Sequence, residues 1–135
     1  MIAVDTSVLL DVFTNDTRFA AASELLIGDA LVAGDVVACE VVVAEMQLML
    51  DTSRSVMDSL ASLGIRFEAL SQAAAVRAGQ MNRRFRDRGG RRERVVADFL
   101  VGAHALLQCD ALITRDAGFF RDHFKGLKVI APKPG

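Results

Sequence analysis

The chain has 135 residues, 52% of them hydrophobic, which suits one globular domain spanning residues 1–135 with one continuous core. Its apolar stretches are broken by Asp, Glu, Gly or Arg well before the roughly 20 residues a membrane span needs, and no basic-then-apolar signal segment opens it; a soluble cytoplasmic protein without a membrane partner is expected. A net charge of -1 argues by itself for neither a nucleic-acid binder nor a membrane-surface protein.

Met1-Ile-Ala-Val-Asp5 is a short apolar run ending in an acid, and Thr6 and Ser7 are N-cap residue types ahead of an apolar helical stretch, so a strand followed by a helix is predicted. Phe19 to Ile27 has helical periodicity and is expected to stop at Gly28. Asp35 to Cys39 is the next short apolar run, and Val41 to Leu50 returns to helix formers. Ser53 to Leu63 reads as a helix ended by Gly64, and Ile65 to Ala69 as a strand of period two. A long helix from Gln72 to Arg88 is closed by Gly89-Gly90. Val96 to Gln108 is a further helix, Ala111 to Thr114 a buried strand, and Leu127 to Ile130 a last strand. The Pro-Lys-Pro-Gly end is expected to fray. Short apolar strands separated by helices need crossover connections, so the predicted fold class is a three-layer α/β/α domain with a central, mainly parallel sheet. No internal repeat or low-complexity segment interrupts it.

Cys39 and Cys109 lie in apolar surroundings without CxxC spacing and read as buried free thiols. Charge is distributed unevenly. From Arg83 to Arg94 there are seven arginines against Asp87 and Glu93, a local +5 that leaves -6 for the rest of the chain. Arg84, Arg88 and Arg92 in this segment are candidates to meet an RNA backbone or an acidic partner segment; the alternative is a solvated helix end. His104 and His123 are read as packing histidines. The absence of Trp and Tyr leaves little sign of base stacking.

Four acids stand out by position. In open parallel sheets, ligands bind beyond the carboxyl ends of the strands, and Asp5 ends the first strand while Asp116 follows the late strand by two residues. Asp98 sits at the start of a helix, where the dipole favours an anion and backbone NH groups favour phosphate. Glu45 lies inside the apolar stretch Val41-Val-Val-Ala-Glu-Met, where a core-facing charge is expensive unless paired or bound to a cation. Each has an ordinary alternative as a helix-start acid, a turn residue or a solvent-facing position. Taken together they are expected to converge on one sheet edge, where mutual repulsion calls for a cation. Oxygen ligands suit Mg2+ or Mn2+, and no His or Cys set suggests zinc.

Ile2-Ala-Val-Asp-Thr-Ser-Val-Leu-Leu10, Val43-Ala-Glu-Met46, Ala97-Asp-Phe-Leu-Val-Gly-Ala-His104 and Ile113-Thr-Arg-Asp-Ala-Gly-Phe-Phe120 resemble, in order and spacing, the four signature segments of VapC-like PIN domains, the toxin ribonucleases of type II toxin-antitoxin systems. The resemblance runs through nearly the whole chain. It implies a PIN-like fold, an acidic pocket holding one or two Mg2+ or Mn2+ ions, endonuclease activity on RNA, homodimerisation and a cognate VapB-like antitoxin. By position, Asp5, Glu45, Asp98 and Asp116 match the family's catalytic acids, with Asp5, Asp98 and Asp116 as metal ligands. Thr114 and Ser7 match supporting hydroxyls. The resemblance also implies metal-assisted phosphodiester hydrolysis that leaves a 5'-phosphate and a 3'-hydroxyl.

Other functions share this plan. A haloacid-dehalogenase-type phosphatase wants a second Asp two residues after the first, where Ser7 stands; a receiver domain wants a Lys after its late strand, whereas Lys128 falls within one. A catalytically silent PIN-like binding module is the third reading, and retention of all four acids argues against it.

Overall fold

The computed structural model describes residues 1–50, 55–90 and 96–135. In chain order its elements are β1 (Ile2–Val4), α1 (Thr6–Phe13), α2 (Ala20–Ala33), β2 (Val36–Ala38), α3 (Glu40–Met49), α4 (Val56–Ser62), β3 (Ile65–Phe67), α5 (Gln72–Asp87), α6 (Val96–Gln108), β4 (Ala111–Ile113), α7 (Ala117–His123) and β5 (Lys128–Ile130). The five strands form one sheet in the order β3-β2-β1-β4-β5, and every pairing is parallel. The sheet expected as mainly parallel is wholly so.

This order reverses direction at β1. The chain steps outward from β1 to β2 and β3, then crosses back to place β4 on the other side of β1. With right-handed crossovers, α1 to α4 cover one face and α5 to α7 the other. Burial on both sides explains why the inner strands are apolar throughout: Val36, Val37 and Ala38 in β2 and Ala111, Leu112 and Ile113 in β4 are all buried. The outer strands alternate or open to solvent, and Lys128 on β5 presents a charge at the free edge, which discourages pairing with another sheet.

On the α5–α7 face the core is aromatic. Phe99 lies with its ring centroid 5.6 Å from Phe85, 5.3 Å from Phe119 and 6.3 Å from Phe124. Gly102, one turn of α6 beyond Phe99, leaves room for Phe124: a Cβ there would stand 2.3 Å from its ring. His123 stacks on Phe119 at 4.7 Å, and its Nδ1 lies 3.0 Å from the Phe119 carbonyl, a packing role as expected. His104 is also buried, inside α6, with desolvation holding its pKa below the usual value. Both cysteines are free, and burial pushes both thiols up, Cys109 to about 11.

Two expectations are corrected and one helix is added. The second helix does not stop at Gly28 but runs on to Ala33, because no neighbour stands within 4 Å of that position and its backbone is not in the left-handed region that ends helices. By contrast Gly89, at φ +80, ends α5 as expected. Helix α7 was not foreseen; it is only seven residues long and begins on the turn after β4. The C-terminal tail is held rather than frayed: Pro132 is buried, and the Gly135 amide donates to the Arg18 carbonyl at 2.8 Å. The helix expected from Ser53 is observed as Val56–Ser62, with Ser55 capping it; Ser53 itself lies outside the described residues. Among the described residues, no helix is long and apolar enough to cross a membrane.

Candidate active site

The crevice beyond the switch point between β1 and β4 is where a parallel sheet gathers loops and helix starts. Val4 pairs with Ile113, so the next residues of the two strands, Asp5 and Thr114, stand side by side at the carboxyl edge. The Asp5 amide donates to the Ile113 carbonyl at 2.9 Å, which fixes that neighbourhood through the backbone.

Asp5 is itself the N-cap of α1, a position where an acceptor side chain serves the free amides of the first turn and favours the positive end of the dipole. Its Oδ1 accepts from the Thr6 amide at 2.8 Å; its Oδ2 accepts from the Thr114 hydroxyl at 2.7 Å and from the Ser7 hydroxyl at 3.2 Å. Both hydroxyls are held from behind. The Arg115 amide donates to Ser7 Oγ at 3.1 Å, and the Asp116 amide to Thr114 Oγ1 at 3.0 Å. Each hydroxyl therefore accepts from the β4–α7 turn and gives its proton to Asp5, so the carboxylate is oriented by a completed network.

Glu45 enters from α3. Its Oε1 accepts from the hydroxyl of buried Thr6 at 2.8 Å. Burial raises the Asp5 pKa and the nearby Glu45 charge raises it further, while the bonds from Thr114, Thr6 and Ser7 pull it down. Thr6 is the site residue that sequence reading passed over: it was seen only as a capping type, and its link to a residue 39 positions away exists only once α3 docks on α1.

Asp116 stands at the N-cap position of α7, half-buried, and its side chain does not cap that helix. Asp98 lies in the first turn of α6, also half-buried. The structure thus ties Asp5, Ser7, Thr114 and, through Thr6, Glu45 into one network, reaches Asp116 through its backbone amide, and places Asp98 at a separate helix start. Among the described residues, no group of three or more His, Cys, Asp or Glu side chains stands close enough to hold a metal ion. The donor set nonetheless suits one kind of cation. Mg2+ keeps several waters and is commonly bound by one or two carboxylates plus substrate phosphate oxygens, so the hydrogen-bonded, partly desolvated Asp5 with Glu45 beside it fits that ion better than an all-protein cage.

A cleft of about 390 Å³ opens alongside, lined by Ser7, Phe19, Arg115, Asp116 and Pro132. Arg115 lies over the Phe19 ring at 4.3 Å and reaches buried Asp11 at 3.4 Å, so a cation is held at the cleft wall by a stacking face and an acid. The basic segment is divided by the helix. Arg84 and Arg88 line one pocket of α5 with Met81, His123 and Lys125, whereas Arg83 and Arg86 line another with Asn82. Arg92 lies outside the described residues.

A parallel sheet of this order, flanked by helices and with a half-buried aspartate capping the first of them at the switch point, defines a PIN-like α/β/α domain. The chain belongs to the PIN domain family, whose model matches residues 2–123. Among solved structures, the VapBC2 complex of Rickettsia felis bound to a promoter DNA fragment matches with a TM-score of 0.75 at 15% identity, over 98% of this chain and 100% of the other. VapBC-1 of nontypeable Haemophilus influenzae matches with a TM-score of 0.69 at 16% identity, over 97% and 98%. VapBC-5 of Mycobacterium tuberculosis, a member of the VapBC family of toxin-antitoxin systems, matches with a TM-score of 0.57 at 22% identity, over 97% and 96%. No protein of curated function matches the chain.

Proposed function

We propose that this protein is a VapC-like toxin, an Mg2+- or Mn2+-dependent endoribonuclease of one PIN-like domain over residues 1–135, acting in the cytoplasm as a homodimer and restrained by a VapB-like antitoxin. The observation that carries the reading is the Asp5 carboxylate, set at the switch point of the sheet, oriented by three donors and standing beside Glu45. Membership of the PIN family and the likeness in fold to VapBC complexes support the nuclease and the partner.

Asp5, Asp98 and Asp116 would hold the divalent cation through intervening waters and substrate phosphate oxygens rather than as a ready-made three-carboxylate cage, and Glu45 would complete the acidic pocket. Ser7 and Thr114 fix the orientation of the Asp5 carboxylate by donating to its Oδ2. When bound, the cation supplies Lewis-acid polarisation of the scissile phosphate and lowers the pKa of water at the site. Arg115, at the wall of the cleft, positions the RNA phosphate for in-line attack. Water adds to phosphorus and the P–O3' bond breaks with proton transfer to the 3' oxygen, leaving a 5'-phosphate and a 3'-hydroxyl. Arg84, Arg88 and Arg92 lie on the segment that meets the RNA backbone or an acidic stretch of the antitoxin.

The test is incubation of purified protein with end-labelled total RNA in Mg2+, Mn2+ or EDTA, beside Asp5→Asn and Asp98→Asn proteins purified identically. Discrete, metal-dependent cleavage absent from both variants is expected. Cleavage that persists equally in the variants, or products ending in a 2',3'-cyclic phosphate, overturns the mechanism; no cleavage of any RNA favours a silent partner-binding module.

A further inference from the structure

The cleft beside Asp5 has a cation built into its wall. Arg115, on the turn after β4, lies with its guanidinium carbon 4.3 Å from the Phe19 ring centroid and its Nε 3.4 Å from Asp11 Oδ2. Asp11 is a buried acid of α1, and its Oδ2 also accepts from the Ser23 hydroxyl of α2 at 3.3 Å. Phe19 is fixed in turn by Asp16, whose Oδ1 accepts from the Arg18 and Phe19 amides at 2.9 Å each. Helix α1 and the turn into α2 thus form a bracket around one side chain of the β4–α7 turn.

A long side chain ordinarily loses rotamer freedom when it grips a ligand, which weakens the grip. Here that ordering is already present in the fold. An ion pair with a buried acid contributes little to stability on balance, because desolvation offsets the attraction; what it fixes is direction. Asp11 takes the Nε side of the guanidinium and Phe19 one face, so the end carrying Nη1 and Nη2 is left for a ligand. Among the described residues, no hydrogen bond or ion pair occupies that end. The Arg115 side chain is 38% exposed and lines the cleft with Ser7, Phe19, Asp116 and Pro132. Ser7 donates to Asp5 Oδ2 and accepts from the Arg115 amide, so an anion held against Arg115 shares its cleft with the hydroxyl that orients Asp5.

The chemistry of this end selects a phosphate. Two amino groups in one plane match two oxygens of a phosphodiester, and the fork sets the angle of approach as well as the distance. The Phe19 ring is engaged by Arg115 and, at 5.3 Å, by Arg18, so it supports the cations rather than a stacked base.

We propose that Asp11 and Phe19 are positioning residues for RNA binding: they hold the Arg115 guanidinium so that Nη1 and Nη2 take two oxygens of a backbone phosphate in the cleft beside Ser7 and Asp116. The inference rests on the reading of the chain as a ribonuclease and gives α1 and the α1–α2 turn a part in substrate binding. The sign of one substitution separates positioning from simple electrostatics. Neutralising an acid beside an anion-binding cleft strengthens RNA binding if charge alone counts. Removing a support weakens it if direction counts.

Fluorescence anisotropy in EDTA, with a fluorescein-labelled single-stranded RNA of about ten nucleotides, measures binding without cleavage. Arg115→Ala is expected to raise the Kd about tenfold, the scale of a charge-assisted contact, and to lower the dependence of log Kd on log salt by about 0.7, the release for one phosphate on a single strand. Asp11→Asn is expected to raise the Kd about fivefold although it removes a negative charge, and not to weaken binding further in the Arg115→Ala background. Phe19→Leu, which keeps an apolar side chain, behaves in the same way, so the reasoning stays testable if Asp11→Asn fails to fold by circular dichroism. Arg115→Lys keeps the charge and both supports and is expected to recover little of the affinity. Binding by Asp11→Asn as tight as wild type or tighter, equal weakening by Asp11→Asn and Phe19→Leu with and without Arg115, or full affinity in Arg115→Lys overturns the proposal. Any of these beside metal-dependent RNA cleavage by the wild type overturns it alone, whereas failure of the wild type to bind or cleave any RNA overturns the ribonuclease reading as well.

Discussion

Thr114→Val is the sharpest test of the network around Asp5, because it keeps the shape of a fully buried side chain and deletes only the hydroxyl. Two bonds disappear: the 2.7 Å bond donated to Asp5 Oδ2 and the 3.0 Å bond accepted from the Asp116 amide. A hydrogen bond to a charged group contributes about 1.5–3 kcal/mol and an ordinary one about 0.5–1.5 kcal/mol. The buried methyl that replaces the hydroxyl offsets about 1 kcal/mol of this. The expected net loss near pH 7.5 is about 2–3 kcal/mol, or on the order of 10 °C in Tm for a chain of this size. The loss depends on pH. The Thr114 bond lowers the Asp5 pKa, so deleting it raises that pKa further above its already elevated position. The penalty is therefore largest where Asp5 is ionised and shrinks to about 1 kcal/mol once the pH falls below the raised Asp5 pKa, where the lost bond is an ordinary neutral one. Urea unfolding of both proteins in EDTA at several pH values measures this difference, with Thr114→Ser restoring most of the stability at neutral pH. A penalty that is the same at every pH, or below 1 kcal/mol at neutral pH, would refute the assignment of Thr114 to the Asp5 carboxylate.

Because burial raises the Asp5 pKa in the fold, the native state holds that proton more tightly than the unfolded chain, and stability falls as pH rises from the ordinary value of 3.8 through the raised one. Asp5→Asn removes that term, so its stability relative to wild type in EDTA is expected to climb with pH over the same window; a pH-independent difference in urea unfolding rejects it. Divalent cation should stabilise the wild type by about 1.4 kcal/mol at tenfold excess over its Kd, read as a rise in Tm with Mg2+ or Mn2+. The rise should vanish in Asp5→Asn, and an equal rise in both proteins places the cation elsewhere. Two glycines in helices should respond with opposite signs in thermal melts. Gly28→Ala, with open space around it, stabilises by about 0.5–1 kcal/mol, while Gly102→Ala drives a methyl into Phe124 and costs about 1–3 kcal/mol.

The strands and the acids at their ends were legible because they depend on local pattern. Short apolar runs closed by Asp5 or by Thr114 and a nearby acid read as buried parallel strands, and parallel strands put their last residues at one edge whatever the details of packing. Helix starts and most helix ends were legible for the same reason, down to the left-handed Gly89 after α5. Gly28 misled because a glycine ends a helix only if its backbone turns left-handed, and residue type alone does not say whether it does. Helix α7 escaped because seven residues with Gly118 near their start show too little periodicity to register.

What the sequence alone determined is the layer plan and the candidate acids, since strand period, helix period and capping chemistry act over a few residues. Partners were decided by the tertiary structure. Which hydroxyl serves Asp5, that Thr6 joins it to Glu45 across 39 positions, that Arg115 meets buried Asp11, and that the arginines of α5 part into two pockets all depend on how helices dock against one another. Such contacts are set by side-chain volumes and crossing angles between elements far apart in the chain. No local pattern encodes them, which is why it took the packing of α5 on α6 to show that the Asn82 side-chain oxygen is buried without a partner among the described residues.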